Sequence, residues 1–319
     1  MKKKILRIAV AIIMLFAVAG LVGCNGYSRH SNSDERIELQ LENQLRRDFS
    51  EANMTEIWTA QDLANRNNDL DGSFVLRSNI HLAEWGNWTP IGARSRSYEP
   101  CKAFRGALIN PNGFEIENLY INRVLQNEGD FRLIDAGLFG RLRNAFIDGV
   151  ILSEVYISVL DENGGDWERS FVGGIVAVAW LSTIMNSSVS GNLISNYSVG
   201  GIAGMSDSSQ IINCNFEGNI EVIWHTRASY AGRIVGWMAG LYSPPWSWQC
   251  GLVKNCTVVA NINGHYTASV GGIVGVSHSL WGRENTFDII HSTFDGYLTG
   301  YLTGILRGWA PFLPNNETA

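Results

Sequence analysis

The sequence predicts an all-β chain: a right-handed parallel β-helix, or solenoid, closed at its N-terminal end by short capping helices. Three observations carry this expectation. The hexapeptide Val270–Gly275 (VGGIVG) returns as Val199–Gly204 (VGGIAG), Val172–Ala177 (VGGIVA), Ala231–Gly236 (AGRIVG) and, shortened, as Ala136–Gly140 (AGLFG), with an echo at Thr303–Leu306. The position before the aliphatic pair falls at Gly137, Gly174, Gly201, Arg233, Gly272 and Gly304, which are 37, 27, 32, 39 and 32 residues apart. A period in this range marks a repeat array. A second motif trails each copy: Ile184–Gly191 (IMNSSVSG), Ile211–Gly218 (IINCNFEG), Leu252–Ala260 (LVKNCTVVA) and Ile289–Gly296 (IIHSTFDG), with Ala145–Leu152 as a degenerate first version. Finally, the aliphatic runs are short and cut by Gly, Asn and Ser, which suits strands and not helices.

Each repeat reads as an aliphatic strand, a turn, a second short strand, and a third strand such as Ile220–Ile223 or Asn261–Asn263. One repeat cannot bury its own aliphatic side chains. Stacked about 4.8 Å over its neighbour, it pairs its backbone and places like on like. Leu138, Ile175, Ile202, Ile234, Ile273 and Ile305 are then expected to form one inward ladder, and Ser187, Cys214, Cys256 and Ser292 another. A β-sandwich with Gly-rich turns does not account for near-identical hexapeptides.

Taken in order, residues 1–23 read as a targeting segment. Lys2, Lys3, Lys4 and Arg7 precede an apolar run, Ile8–Ala19, too short to span a bilayer comfortably. The sequence Leu21-Val22-Gly23-Cys24 resembles a bacterial lipobox, which implies cleavage before Cys24 and a lipid anchor there. More than one acyl chain makes such an anchor stable. Residues 24–53 are a polar tether followed by a segment of helical spacing, with Ile37, Leu39, Leu41, Leu45 and Phe49 among charges. Residues 54–135 form an N-terminal cap and the first coils. Thr59 is suited to cap a short helix, with Asp62 three residues on. Such a cap covers an otherwise open sheet edge. Residues 136–308 hold the repeats, and 309–319 a C-terminal tail.

VGGIVG followed by an I-x-N-C or I-x-N-S strand resembles the GLUG repeat of bacterial surface proteins, some of which carry an immunoglobulin-A-cleaving metallopeptidase elsewhere in the chain. The resemblance covers roughly 136–306. Leu63–Leu82, Asn87–Gly92 and Phe104–Ile121 resemble the coils that precede such repeats. Ala177, Arg233 and Ala260 depart from it where glycine is usual. The resemblance implies adhesion and surface display by a non-catalytic unit.

Chemistry is sparse in the sequence. No H-E-x-x-H, G-x-S-x-G or G-x-x-x-x-G-K-[ST] motif occurs, and the six histidines never pair at helical ligand spacing. No catalytic residue, metal ligand or cofactor is expected. Loss of residues 1–23 removes four positive charges and takes the formal charge from −6 to −10 on side chains, which argues against a nucleic-acid partner. Cys214 and Cys256 occupy matching places in neighbouring repeats and are expected to be small core residues, although their spacing is within disulfide reach; Cys101 and Cys250 cannot be paired from sequence. Asp161, Glu162, Asp166 and Glu168 share one corner insertion, and Glu217 and Asp295 occupy matching outer positions.

Aromatic residues are more informative. Eleven tryptophans are present. Tyr242, Trp246 and Trp248 lie in one insertion and Trp281 in the next, both following the aliphatic anchor strand; Trp167 and Trp224 form a second set. Such rings stack on sugar faces or anchor protein partners, or fold back onto the molecule. The expectation is therefore a non-enzymatic protein held at the membrane through Cys24, extracytoplasmic in the cell envelope, binding a glycan or a host or bacterial surface protein through Tyr242, Trp246, Trp248 and Trp281. A polysaccharide lyase or hydrolase and a purely structural envelope protein are the alternatives.

Overall fold

The computed structural model describes residues 51–93, 102–125, 134–161, 170–223, 229–240, 251–265, 268–279 and 287–299. Their strands pair in parallel and divide into four sheets, of eight, nine, five and five strands. Each strand bonds to its counterpart in the next repeat; Phe74, Leu108, Ile147, Ile184, Ile211, Val253 and Ile289 thus follow one another in register across the eight-stranded sheet.

These pairings correct the expected single right-handed β-helix of three-strand coils. The chain is all-β, with several parallel sheets. Four strands make each repeat: in one, Ser198–Gly200, Ala203–Asp207, Gln210–Ile212 and Asn215–Val222. The hexapeptide read as one strand is two, bent at Gly201–Ile202. A Cβ on Gly201 would lie 2.2 Å from the carbonyl oxygen of Arg233 and 2.3 Å from Cγ of Phe216, so the bend closes against the next repeat only with glycine there. Conversely, the expected second strand, Ile211–Gly218, divides after Ile212, and its latter part runs on through Gly218, at φ 142°, into the expected third strand at Ile220.

Helix is confined to short pieces. Among the described residues, Ala60–Ala64 is α-helical and Glu51–Asn53, Asn65–Asn68 and Ala83–Trp85 are 3₁₀ turns. Thr59 caps the α-helix as expected: its hydroxyl accepts from the Asp62 amide while the Asp62 carboxylate accepts from the Thr59 amide. The expected helical segment before residue 51 lies outside the described residues.

All four sheets face one apolar core. The inward ladder Leu138, Ile175, Ile202, Ile234 and Ile273 is fully or almost fully buried in it; Ile305 lies outside the described residues. The ladder of small groups is present too. Ser187 Oγ donates to the Met185 carbonyl and accepts from the Val150 amide, and Ser292 does the same with Ile290 and Cys256. Cys214 and Cys256 are free buried thiols directed at the Ile212 and Lys254 carbonyls. Burial holds the Cys214 thiol well above its ordinary pKa.

Beside that ladder the chain turns through left-handed residues: Asn186 (φ 50°), Asn213 (φ 53°), Asn255 (φ 52°) and His291 (φ 47°). Asparagine tolerates this region better than most side chains. The amides are also linked. Asn255 Nδ2 donates to Asn213 Oδ1, Asn213 Nδ2 to Asn186 Oδ1, and Asn186 Nδ2 to Asp148 Oδ1, at 3.1, 3.0 and 2.8 Å.

Candidate functional site

The residues singled out from the sequence, Cys24, Tyr242, Trp246, Trp248 and Trp281, lie outside the described residues, as do Trp167, Trp224, Glu162, Asp166 and Glu168. The strands from which the aromatic insertions depart are described. Val235–Gly240 and Val274–Ser279 pair in register up to Gly240 opposite Ser279. Gly240 and Ser279 are therefore neighbouring strand ends, about 4.8 Å apart, and the insertions 241–250 and 280–286 follow them in the sequence.

An aromatic cluster that the sequence reading missed sits on the outward face of the same sheet. Val178, Met205, Trp237 and Val276 follow one another in register, and Phe171 and Tyr230 bring rings from the neighbouring sheet. The Trp237 ring lies 6.0 Å from Phe171 and 5.9 Å from Tyr230, and is 8% exposed. Satellite clusters of this kind form beneath long connections. The signal was present in the pair Trp237–Met238: successive strand residues take opposite faces, and Met238 lies in the main core while Trp237 lies in the outer cluster. Arg141, one place earlier in that column, pairs with Asp135, whose side chain is fully buried.

The outward face of the nine-stranded sheet is different in character. Asn215, Glu217, Asn219 and Glu221 are exposed and alternate with buried Phe216, Ile220 and Val222. Glu217, Val259 and Asp295 share one column, so the two carboxylates sit on one face two strand spacings apart, with Val259 between them. In the next column Tyr120 stacks on Tyr156 at 5.5 Å and 13°, followed by Asn192, Asn219 and Asn261. The amides of this row are linked through Nδ2 to Oδ1 contacts of 2.9 Å, Asn219 to Asn192, and 3.5 Å, Asn261 to Asn219. This row offers stacking faces at one end and amide donors and acceptors along its length, a chemistry suited to hydroxyl-rich or peptide ligands.

Arg233 takes the place of the glycine of the other repeats without altering the turn: the Ile234 and Val235 amides both donate to the Ile273 carbonyl, as their counterparts do in the preceding repeat. Its side chain is fully buried. Space comes from the facing strand. Phe216 and Phe294 lie against Gly201 and Gly272, whereas the equivalent residue in the Arg233 repeat is the smaller Val258. The guanidinium lies over the Phe294 ring at 4.9 Å, and Nη2 donates to the Tyr297 carbonyl at 3.2 Å. Burial lowers its pKa to about 10, opposed by the nearby Asp295 charge.

Among the described residues no group of three or more His, Cys, Asp or Glu side chains is placed to hold a metal ion, and no helix is long and apolar enough to cross a membrane. No family model matches the chain, and no curated protein matches it. Among solved structures the chain is similar to one named IgA1 Protease, at 15% identity and a TM-score of 0.49. That match covers 76% of this chain and 20% of the other, so the chain spans about a fifth of that protein's length.

Proposed function

We propose that this chain is a lipid-anchored cell-surface protein that binds a glycan or a surface protein through paired aromatic loops, without turning its ligand over. The observation that carries the proposal is the register of Gly240 with Ser279. Gly240 directly precedes in sequence the segment bearing Tyr242, Trp246 and Trp248, and Ser279 the segment bearing Trp281; the Phe171–Trp237–Tyr230 cluster lies on the outer face of the same sheet. Two sequence features supply the rest. The lipobox-like stretch ending at Cys24 supports export and anchoring outside the cytoplasm. The likeness of VGGIVG and its trailing I-x-N-C strand to GLUG repeats supports surface display.

The test uses the soluble chain beginning at Asn25 on a glycan array, with a reducing-sugar release assay on every glycan that binds. Binding without release is the expected result. Release of product transfers the protein to the polysaccharide lyases or hydrolases, for which Glu217 and Asp295 on one column are the first residues to replace. Neither binding nor release leaves a structural envelope role. Mass analysis of the mature N-terminus tests the anchor independently: a diacylated Cys24 is expected, and an unmodified chain that retains residues 1–23 removes it.

A further inference from the structure

Seven large apolar side chains are exposed among the described residues, and five of them, Tyr120, Val124, Ile223, Val259 and Tyr297, belong to the outward side of the nine-stranded sheet or to its strand ends. Single exposed apolar residues are ordinary on a protein surface; their collection on one face marks a binding surface. They gather round the row of Tyr120, Tyr156, Asn192, Asn219 and Asn261. That row has one more member. Tyr297 stands opposite Asn261, one place before the Ile262–Leu298 pair, and its amide donates to Asn261 Oδ1 at 3.1 Å. The stacked Tyr120–Tyr156 rings thus close one end, the Tyr297 ring, 82% exposed, closes the other, and three exposed amides lie between. Asn219 uses one N–H on Asn192 and one lone pair on Asn261. An asparagine amide has a second of each to offer a ligand. The ladder also fixes the amide orientation in advance, which lowers the entropy cost of binding.

We propose that this row binds a neutral linear glycan whose chain runs across the strands from Tyr156 to Tyr297. Spacing favours a glycan over a peptide. Five positions, four strand spacings apart from end to end, span about 19 Å. An extended β-1,4-linked chain of pyranose rings advances by close to one strand spacing per ring, so each amide meets hydroxyls at the same phase. An extended peptide advances about 3.3 Å per residue and falls out of step. The composition of the face agrees. Rings at both ends suit the C–H faces of a sugar, and Val259, 53% exposed, adds an apolar contact in the column beside Asn261. Charge excludes acidic glycans: Glu217, Glu221 and Asp295 flank the row, and its strands from Ser188 onward, Ser188–Ser195, Asn215–Val222, Thr257–Gly264, Thr293–Asp295 and Leu298–Thr299, contain no Lys or Arg. The row is a different site from the aromatic insertions, since Gly240 and Ser279 end strands of a five-stranded sheet.

The experiment titrates the full chain by calorimetry with cello- and chito-oligosaccharides of two to six rings, beside a six-ring oligogalacturonate and an uncharged Ser/Thr-rich decapeptide. Affinity for one of the neutral series is expected to rise up to about five rings, the number of positions in the row, and then to level off. The oligogalacturonate and the decapeptide are expected not to bind. Tyr297→Ala and Asn219→Ala should each weaken the neutral hexasaccharide at least about tenfold, Tyr297→Trp should retain it, and Trp58→Ala, an exposed ring beside the first strand of the eight-stranded sheet, should leave it unchanged. Should Asn219→Ala lower the melting temperature, Tyr297→Ala is read alone, because so exposed a ring supports little of the fold. The proposal is overturned if neither neutral series binds, if affinity is independent of length, if the oligogalacturonate or the decapeptide binds more tightly, or if Tyr297→Ala binds as the natural chain does. Binding of these oligosaccharides is expected to survive Trp246→Ala with Trp281→Ala. Its loss there, with Tyr297→Ala unaffected, assigns the ligand to the insertions and overturns the row alone, so the two sites fail separately.

Discussion

The guanidinium of Arg233 lies 4.9 Å above the ring of Phe294 in the following repeat, in a place that the neighbouring repeats fill with an aromatic ring packed on glycine. A buried cation held by one ring and one carbonyl is costly to desolvate. Because it binds its proton less tightly folded than unfolded, with a pKa of about 10, its charge opposes folding at neutral pH, and that opposition fades only above about pH 10. Arg233→Met is expected to be neutral or to stabilise by about 1–3 kcal/mol. Arg233→Gly alone leaves a void. Arg233→Gly with Val258→Phe rebuilds the Gly201–Phe216 arrangement, and a double-mutant cycle in urea is expected to show favourable coupling of about 1–3 kcal/mol.

Gly201→Ala places a methyl group against the Arg233 carbonyl and the Phe216 ring at once. Backbone cannot swing aside as a flexible side chain can. The substitution is expected to cost about 3 kcal/mol, the upper end for overpacking, and to lower the urea midpoint. Gly113→Ala, at a turn where the nearest atom is 4.0 Å away, is expected to cost less and only through its φ of 71°.

Cys214 and Cys256 are buried, and Cys214 is held protonated by its surroundings. Neither is expected to react with iodoacetamide in the native protein, and both should react on unfolding. Ser187 and Ser292 fill the same column and bond their local carbonyls. Cys214→Ser and Cys256→Ser are therefore expected to cost no more than about 1–2 kcal/mol each, measured by thermal unfolding. Cys214→Leu, too large for the column, should cost more.

Asn213 combines a left-handed backbone with two side-chain bonds, one to each neighbouring repeat. Asn213→Ala is expected to lose about 2 kcal/mol, through both the strained φ and the amide ladder. Asn213→Gly keeps the turn and loses only the ladder, so it should fall between the two in urea unfolding.

Trp246→Ala together with Trp281→Ala is expected to abolish ligand binding while leaving the melting temperature nearly unchanged. Loss of folding in that variant would show that the rings belong to the core and would remove them from the binding proposal.

Several parts of this structure are legible in the amino-acid order. The spacing of Leu138, Ile175, Ile202, Ile234 and Ile273 specifies one inward ladder, because equivalent aliphatic residues can be buried together only if successive repeats lie over one another. Thr59 and Asp62 specify their own capping box, a contact made within four residues and needing nothing distant. The small-residue column of Ser187, Cys214, Cys256 and Ser292 followed from the same period.

What the order of residues did not decide is where a repeat bends and which outer faces are covered. Whether VGGIAG is one strand or two depends on Phe216 and Arg233, fifteen and thirty-two places after Gly201 in the chain, closing on that glycine from another strand and another repeat. The burial of Phe146 and Met185 on the far side of their sheet, against the exposure of Glu217 and Asn219 on theirs, is likewise a property of the assembled molecule. Local pattern sets which side of a strand a residue takes; only tertiary packing sets whether water or protein meets it there.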